Sequence, residues 1–234
     1  MNSIHPSREP RISFSPIFIF MAVFFCTCLI VSNLIASKVF VLFQITLPAA
    51  VIVFPISYIL NDCLVEVYGF RRARLVIWMG FAMNFFVVLV SQLAIMLPGA
   101  PFWQGDEAFR SIFGATPRAT IASMLAFLAG STLNAWCMSR MKVSHQGRYF
   151  ALRAIISSIV GECADSLIFI PIMFSSMGLR TILTMSLCQV SAKVLFEIII
   201  LPATRKFVSL VKKLEHVDIF DTNISYNPFK LFDL

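Results

Sequence analysis

Apolar stretches of about bilayer length recur at residues 14–36, 48–69, 75–97, 119–140, 154–174 and 181–210, parted by polar or basic loops. A helix rises 1.5 Å per residue, so roughly 20 apolar residues cross the hydrocarbon layer. The pattern predicts an all-α integral membrane protein, a six-transmembrane-helix bundle at residues 14–211, between a polar arm at 1–13 and a tail at 212–234. The first stretch is too long for a signal-peptide core and is read as a retained span. Pro48 fits the first turn of the second helix, Pro55 then interrupts it, and Gly69 follows its last apolar turn. Pro98 ends the third span. The 99–118 loop carries Trp103 and is expected to lie, partly helical, at the membrane surface. Ala122, Ala126, Ala129, Gly130 and Ser131 give the fourth span a small-residue face for close packing.

Polar residues interrupt the apolar stretches at few positions, and helical winding gathers them. In FPISYILNDCLVEVYGFRRAR (54–74), Tyr58, Asp62 and Glu66 stand at i, i+4 and i+8 on one face, with Asn61 beside them. The fifth stretch places Ser158, Glu162 and Asp165 together, the sixth repeats Gln189, Lys193 and Glu197 every fourth residue, and Asn134 lies deep in the fourth. Asn33 reads equally as a cap or a ligand contact. A charge at the bilayer centre costs about 2.5–3.5 kcal/mol on the insertion scale, so the carboxyls of Asp62, Glu66, Glu162, Asp165 and Glu197 must pair, protonate or surround a polar ligand. A structural clasp could account for one of them. Acids, amides and a lysine converging from three helices point instead to a polar pocket. Lys193, the one deep cation, is expected to pair with Glu197 or with a carboxyl on a facing helix.

Composition fixes the setting. Of 234 residues, 59% are hydrophobic and 13% charged, far from the roughly 25% charged of soluble domains. The formal charge of +7 resides in cations at the ends of apolar stretches and not on a basic aromatic face, which argues against direct nucleic-acid binding and for membrane orientation. Cations of the arm, of the 70–74 and 140–153 loops and of the segment after residue 204 face Lys38, Arg110, Arg118 and Arg180 on the other side, an asymmetry that sets both termini in the cytoplasm. The six cysteines fall within apolar stretches and read as small buried residues. His5, His145 and His216 lie outside those stretches, and no phosphate-binding GxxxxGK[ST] loop occurs, so no metal, cofactor or intrinsic nucleotide hydrolysis is expected.

An acceptor-rich pocket suits a ligand with several N–H donors, such as the edge of a guanine-like ring, with Phe54, Tyr58 or Phe169 available for stacking. The block at 54–74, RAIISSIVGECADSLIFIPIMF (153–174) and CQVSAKVLFEIIILPATRKFVSLVKK (188–213) resemble the queuosine precursor transporter family, also called the vitamin uptake transporter family. SNLIASK (32–38) and RATIASMLAFLAGSTLNA (118–135) extend the likeness over nearly the whole membrane part. The resemblance implies a non-enzymatic bacterial inner-membrane importer of six helices, related in fold to substrate-binding components of energy-coupling-factor transporters, for deazaguanine precursors of queuosine or for queuine. It carries over Asn61, Asp62, Glu66, Gly161, Glu162, Asp165, Lys193 and Glu197 as family polar positions. Ser158 stands where the family commonly has threonine, which leaves room for altered ligand preference. The rival reading is a membrane enzyme using its acids on a lipid-borne substrate; it lacks a distinctive nucleophile or metal set. A structural subunit of a membrane complex is a third. The lipid bilayer is the one certain partner; a homo-oligomer and an energising partner stay open.

Overall fold

Apolar runs with few internal breakers produce long helices. The computed structural model describes residues 14–35, 38–42, 45–114, 117–173, 175 and 178–230; the arm expected at 1–13 and the side chains of Phe54, Tyr58 and Arg118 lie outside them. The order is α1 (Pro16–Ile35), β1 (Val39–Leu42), β2 (Ile45–Pro48), a 3-10 turn (Ala49–Ile52), α2 (Phe54–Met96), α3 (Asp106–Phe113), α4 (Pro117–Ser144), α5 (Phe150–Met173) and α6 (Leu179–Glu215). Among the described residues four helical stretches are long and apolar enough to cross a membrane: Pro16–Ile35, Ile59–Met96, Ile121–Ser144 and Phe150–Ile172. Phe20, Phe86, Leu195 and Ile199 point outward, each more than half exposed. Such a surface is an anomaly in water and the normal contact with lipid.

The expectations for Pro48, for Pro55 and for the end of the sixth helix need correction. Between α1 and α2 lies a short hairpin, β1 and β2 pairing antiparallel with Val39 opposite Pro48 and Leu42 opposite Ile45, in an otherwise helical chain. Pro48 therefore ends a strand. Pro55 does not interrupt a helix but sits in the first turn of α2, where its missing N–H has no intrahelical partner to lose. The sixth helix also continues past the expected end at 210, to Glu215.

The third span is not separated from the second by a loop. One residue, Gly69, breaks α2 with φ 81° and ψ 171°, backbone that glycine adopts without a steric penalty. The contacts of α1 show that the chain reverses there. Before the break, Tyr68 meets Phe18 (ring centroids 5.0 Å) and Ser57 lies beside Cys28, so this limb runs against α1. After it, Gly80 packs on Leu29 and Asn84 accepts a 2.8 Å hydrogen bond from Asn33, so the second limb runs with α1. A side chain at 69 is barred by space as well, since a Cβ there falls 2.7 Å from Asp221 Oδ1.

The remaining helices alternate in direction. Phe127 of α4 lies against Gly80 and Phe25, whereas Lys142, near its end, reaches the carbonyl of Glu66. Gly130 and Gly161 let α4 and α5 approach until a Cβ on either is about 2.8–2.9 Å from the other's carbonyl oxygen, the close crossing that the small residues of the fourth stretch predict. One end of the bundle thus collects the Gly69 turn, the 145–149 turn and the end of α6. Residues 216–230, after α6, do not hang free but lie as a strap across that end.

Candidate functional site

Two polar clusters sit inside the bundle. The deeper one is centred on Lys193 of α6, whose Nζ is 2.6 Å from Glu162 Oε2 and 2.7 Å from Asp165 Oδ2 on α5. Glu162 and Asp165 share one helix face and repel when both are ionised; a cation between them removes that repulsion. The pairing expected for Lys193 is thus made across to α5 and not with Glu197. Glu197, buried, accepts a 2.5 Å hydrogen bond from Ser158, which in turn accepts one at 3.3 Å from Asn134 Nδ2. Asp62, 2% exposed, lies within electrostatic reach of Glu197, Glu66 and Arg153. The side-chain oxygens of Asn61 and Asn134 are buried and have no hydrogen-bond partner among the described residues. A buried acceptor left open loses its hydration without replacement, so such atoms mark a place for a donor.

The second cluster lies nearer the end of the bundle. Glu66 receives Arg153 in a two-pronged contact of 2.5 and 2.9 Å and Lys212 at 2.8 Å. Glu66 and Arg153 are 1% and 0% exposed, so this ion pair is fully withdrawn from solvent. Lys142, equally buried, donates to the carbonyls of Glu66 and Ile219 and to Asp218. Lys212 also pairs with Asp218 at 2.9 Å. Burial works against the Asp218 carboxylate, yet the hydrogen bonds from Lys142 and Lys212 outweigh it and hold its pKa below the usual value. That contribution to folding is complete above the ordinary carboxylate pKa and is lost as pH falls through the depressed one.

The structure therefore gathers Glu162, Asp165, Lys193, Glu197 and Asn134 around one spot, with Asp62 adjoining. Asn61 is buried beside Asp62, and Gln189 is half-buried one turn from Lys193. Glu66 belongs to the other cluster; Arg153 lies nine residues before Glu162, about 13 Å along α5. Sequence reasoning missed Lys142, Arg153 and Lys212 as cluster members, having counted them as loop cations. Their neighbours gave a hint: Val143, Ala154 and Val211 are apolar residues in which a solvated basic loop has no need to be set.

The sequence profile described as putative vitamin uptake transporter matches residues 48–206. A protein of Bacillus subtilis (strain 168), "Probable queuosine precursor transporter", is 28% identical over 144 residues, which are 61% of this chain and 63% of that protein. The chain thus spans less than two thirds of that relative's length. No solved structure matches. All the polar residues of the deeper cluster fall inside the matched range.

Proposed function

We propose that this chain, which belongs to the putative vitamin uptake transporter family, is a transporter and not an enzyme, and that it imports a deazaguanine precursor of queuosine, or queuine, across a bacterial inner membrane. Six crossings carry it: α1, the two limbs of α2, α4, α5 and α6, a count in keeping with the fold of energy-coupling-factor substrate-binding components. A 43-residue α2 is far longer than one crossing needs, and the reversal at Gly69 divides it into two. In this reading both termini are cytoplasmic, because Arg71, Arg72, Arg74, Arg140, Lys206 and Lys213 gather at the end where α1 begins and α6 finishes. The labelling test is direct: a cysteine at His145 stays unreactive to an impermeant reagent outside intact cells, and external labelling reverses the assignment.

The observation that carries the ligand reading is the deeper cluster, in which two buried amide oxygens lack donors beside three carboxyls on α5 and α6. Carboxylates accept paired hydrogen bonds from a planar N–H edge, and guanine-like rings present one. Asn61, Asp62, Asn134, Glu162, Asp165, Gln189, Lys193 and Glu197 form the pocket in this reading, and Glu66 supports it from below.

Uptake is tested in cells unable to make the precursor, by queuosine in their tRNA; tRNA that stays unmodified with the protein present and ligand supplied removes the reading. Glu162→Gln tests the edge itself. It keeps volume and removes an anionic acceptor, so affinity for bases with an exocyclic amine falls about tenfold or more, while analogues lacking the amine lose little. Thermal stabilisation by each ligand measures both affinities. Equal losses assign Glu162 to structure instead.

A further inference from the structure

We propose that residues 216–230 are the inner gate of the transporter: a strap that closes the release end of the polar column when docked and lifts from α2 and α4 when ligand leaves. This rests on the transport reading above. The column runs from Lys193, Glu162 and Asp165, past Glu197, Ser158 and Asp62, to Glu66, Arg153 and Lys142, and the strap lies across its end. The family match stops at residue 206, short of the strap.

The strap is held by groups that the Gly69 break leaves open. The Phe70 N–H donates to Asp221 Oδ2 at 2.7 Å, and the Val67 carbonyl accepts from the Ile219 N–H at 3.1 Å. Ser139 donates to Asp221, Arg74 to the carbonyl of Asn227 at 2.6 Å, and Trp78 to that of Pro228 at 2.8 Å. Apolar contact is partial: Val217, Ile224 and Tyr226 pack against the core, whereas Phe220 and Phe229 stay 41% and 73% exposed. The hydrogen bonds among these contacts are exchangeable, since water or another acceptor replaces them when the strap lifts.

Three features fit such a movement. His216, directly after α6, and Asn223, within the strap, both have positive φ (52° and 59°), which places turns at both points. A groove of about 690 Å³ between the strap and the end of α4, lined by Arg140, His145, Asp221, Asn223 and Tyr226, leaves room on one side. Asp218 shares Lys142 and Lys212, and Lys212 also holds Glu66, so undocking redistributes the charges at the foot of the column.

The test joins Ser139→Cys to Asp221→Cys, whose side chains touch in the docked state, in a background without native cysteines. Oxidised, the protein keeps its thermal stabilisation by a cyano-deazaguanine base but loses uptake tenfold or more, and reductant restores it. Cross-linked protein that imports as fast as reduced protein overturns the gate while leaving transport intact. If the unmodified protein imports nothing, the transport reading fails and the gate falls with it. Hydrogen exchange on the native chain needs no variant: the Phe70 and Ile219 amides, freed by one lift of the strap, exchange together and well ahead of global unfolding, and amides that open only with global unfolding also overturn the proposal.

Discussion

Arg153→Met lowers the unfolding midpoint of the purified protein by the equivalent of about 3 kcal/mol or more. The change removes the two-pronged partner of Glu66 while leaving the carboxylate where it is, 1% exposed. A buried ion pair contributes little net stability when formed, because both charges lose water, yet deletion of one member costs roughly 3–5 kcal/mol by stranding the other. Lys212, 2.8 Å from Glu66, supplies part of the lost attraction and holds the cost to the lower end of that range. The decisive comparison adds Glu66→Gln. If stranded charge is the cause, the double variant is more stable than Arg153→Met alone, a coupling that a double-mutant cycle reads directly. A double variant as weak as the single one, or weaker, would show that Arg153 acts through packing or through its bonds to the carbonyls of Arg148 and Gly147.

That network also marks the limit of what the chain's pattern discloses. Helical content follows from run length, and the grouping of Ser158, Glu162 and Asp165 or of Gln189, Lys193 and Glu197 follows from a 3.6-residue period. Such grouping is local, and the facing partner of Lys193 was open until α5 and α6 were seen side by side. Glu66 meets Lys142, Arg153 and Lys212 across sequence separations of 76, 87 and 146 residues. No periodicity joins residues so far apart, and a cation just beyond an apolar run has the same sequence appearance whether it is solvated or folded inward.

The strap was hidden for a different reason. It docks through backbone groups, and the open N–H of Phe70 and carbonyl of Val67 arise only because Gly69 reverses the chain. A glycine after an apolar turn signals an end but does not say that a distant segment will complete its hydrogen bonds. One signal was present: Ile219, Phe220, Tyr226 and Phe229 interleave with Asp218 and Asp221, an aromatic content uncommon in chain that stays unfolded. The β1–β2 pair has a sequence signal too, since Phe40, Val41 and Leu42, opposite Leu47, Thr46 and Ile45, are mostly residues that suit a pleated surface.

Lys193→Met, set beside a variant neutral at all three positions of the triad, decides whether the deeper cluster is a clasp or a pocket. The single change leaves Glu162 and Asp165 facing one another without the ammonium that lay 2.6 and 2.7 Å away, so one of them must take up a proton or the helices must part. Both stability and uptake fall, uptake by tenfold or more, and this alone does not separate the two roles. Neutralising all three positions does, as Glu162→Gln, Asp165→Asn and Lys193→Met together. With no charge left to strand, packing between α5 and α6 recovers and the thermal midpoint returns towards that of the starting protein. If the triad only fastens the helices, uptake returns with it. If the carboxylates receive the donor edge of the ligand, the stable triple variant still gives no ligand-induced stabilisation and no queuosine in tRNA. A triple variant that transports normally would therefore leave Glu162, Asp165 and Lys193 as a structural clasp and move recognition to Asn61, Asp62, Asn134 and Glu197.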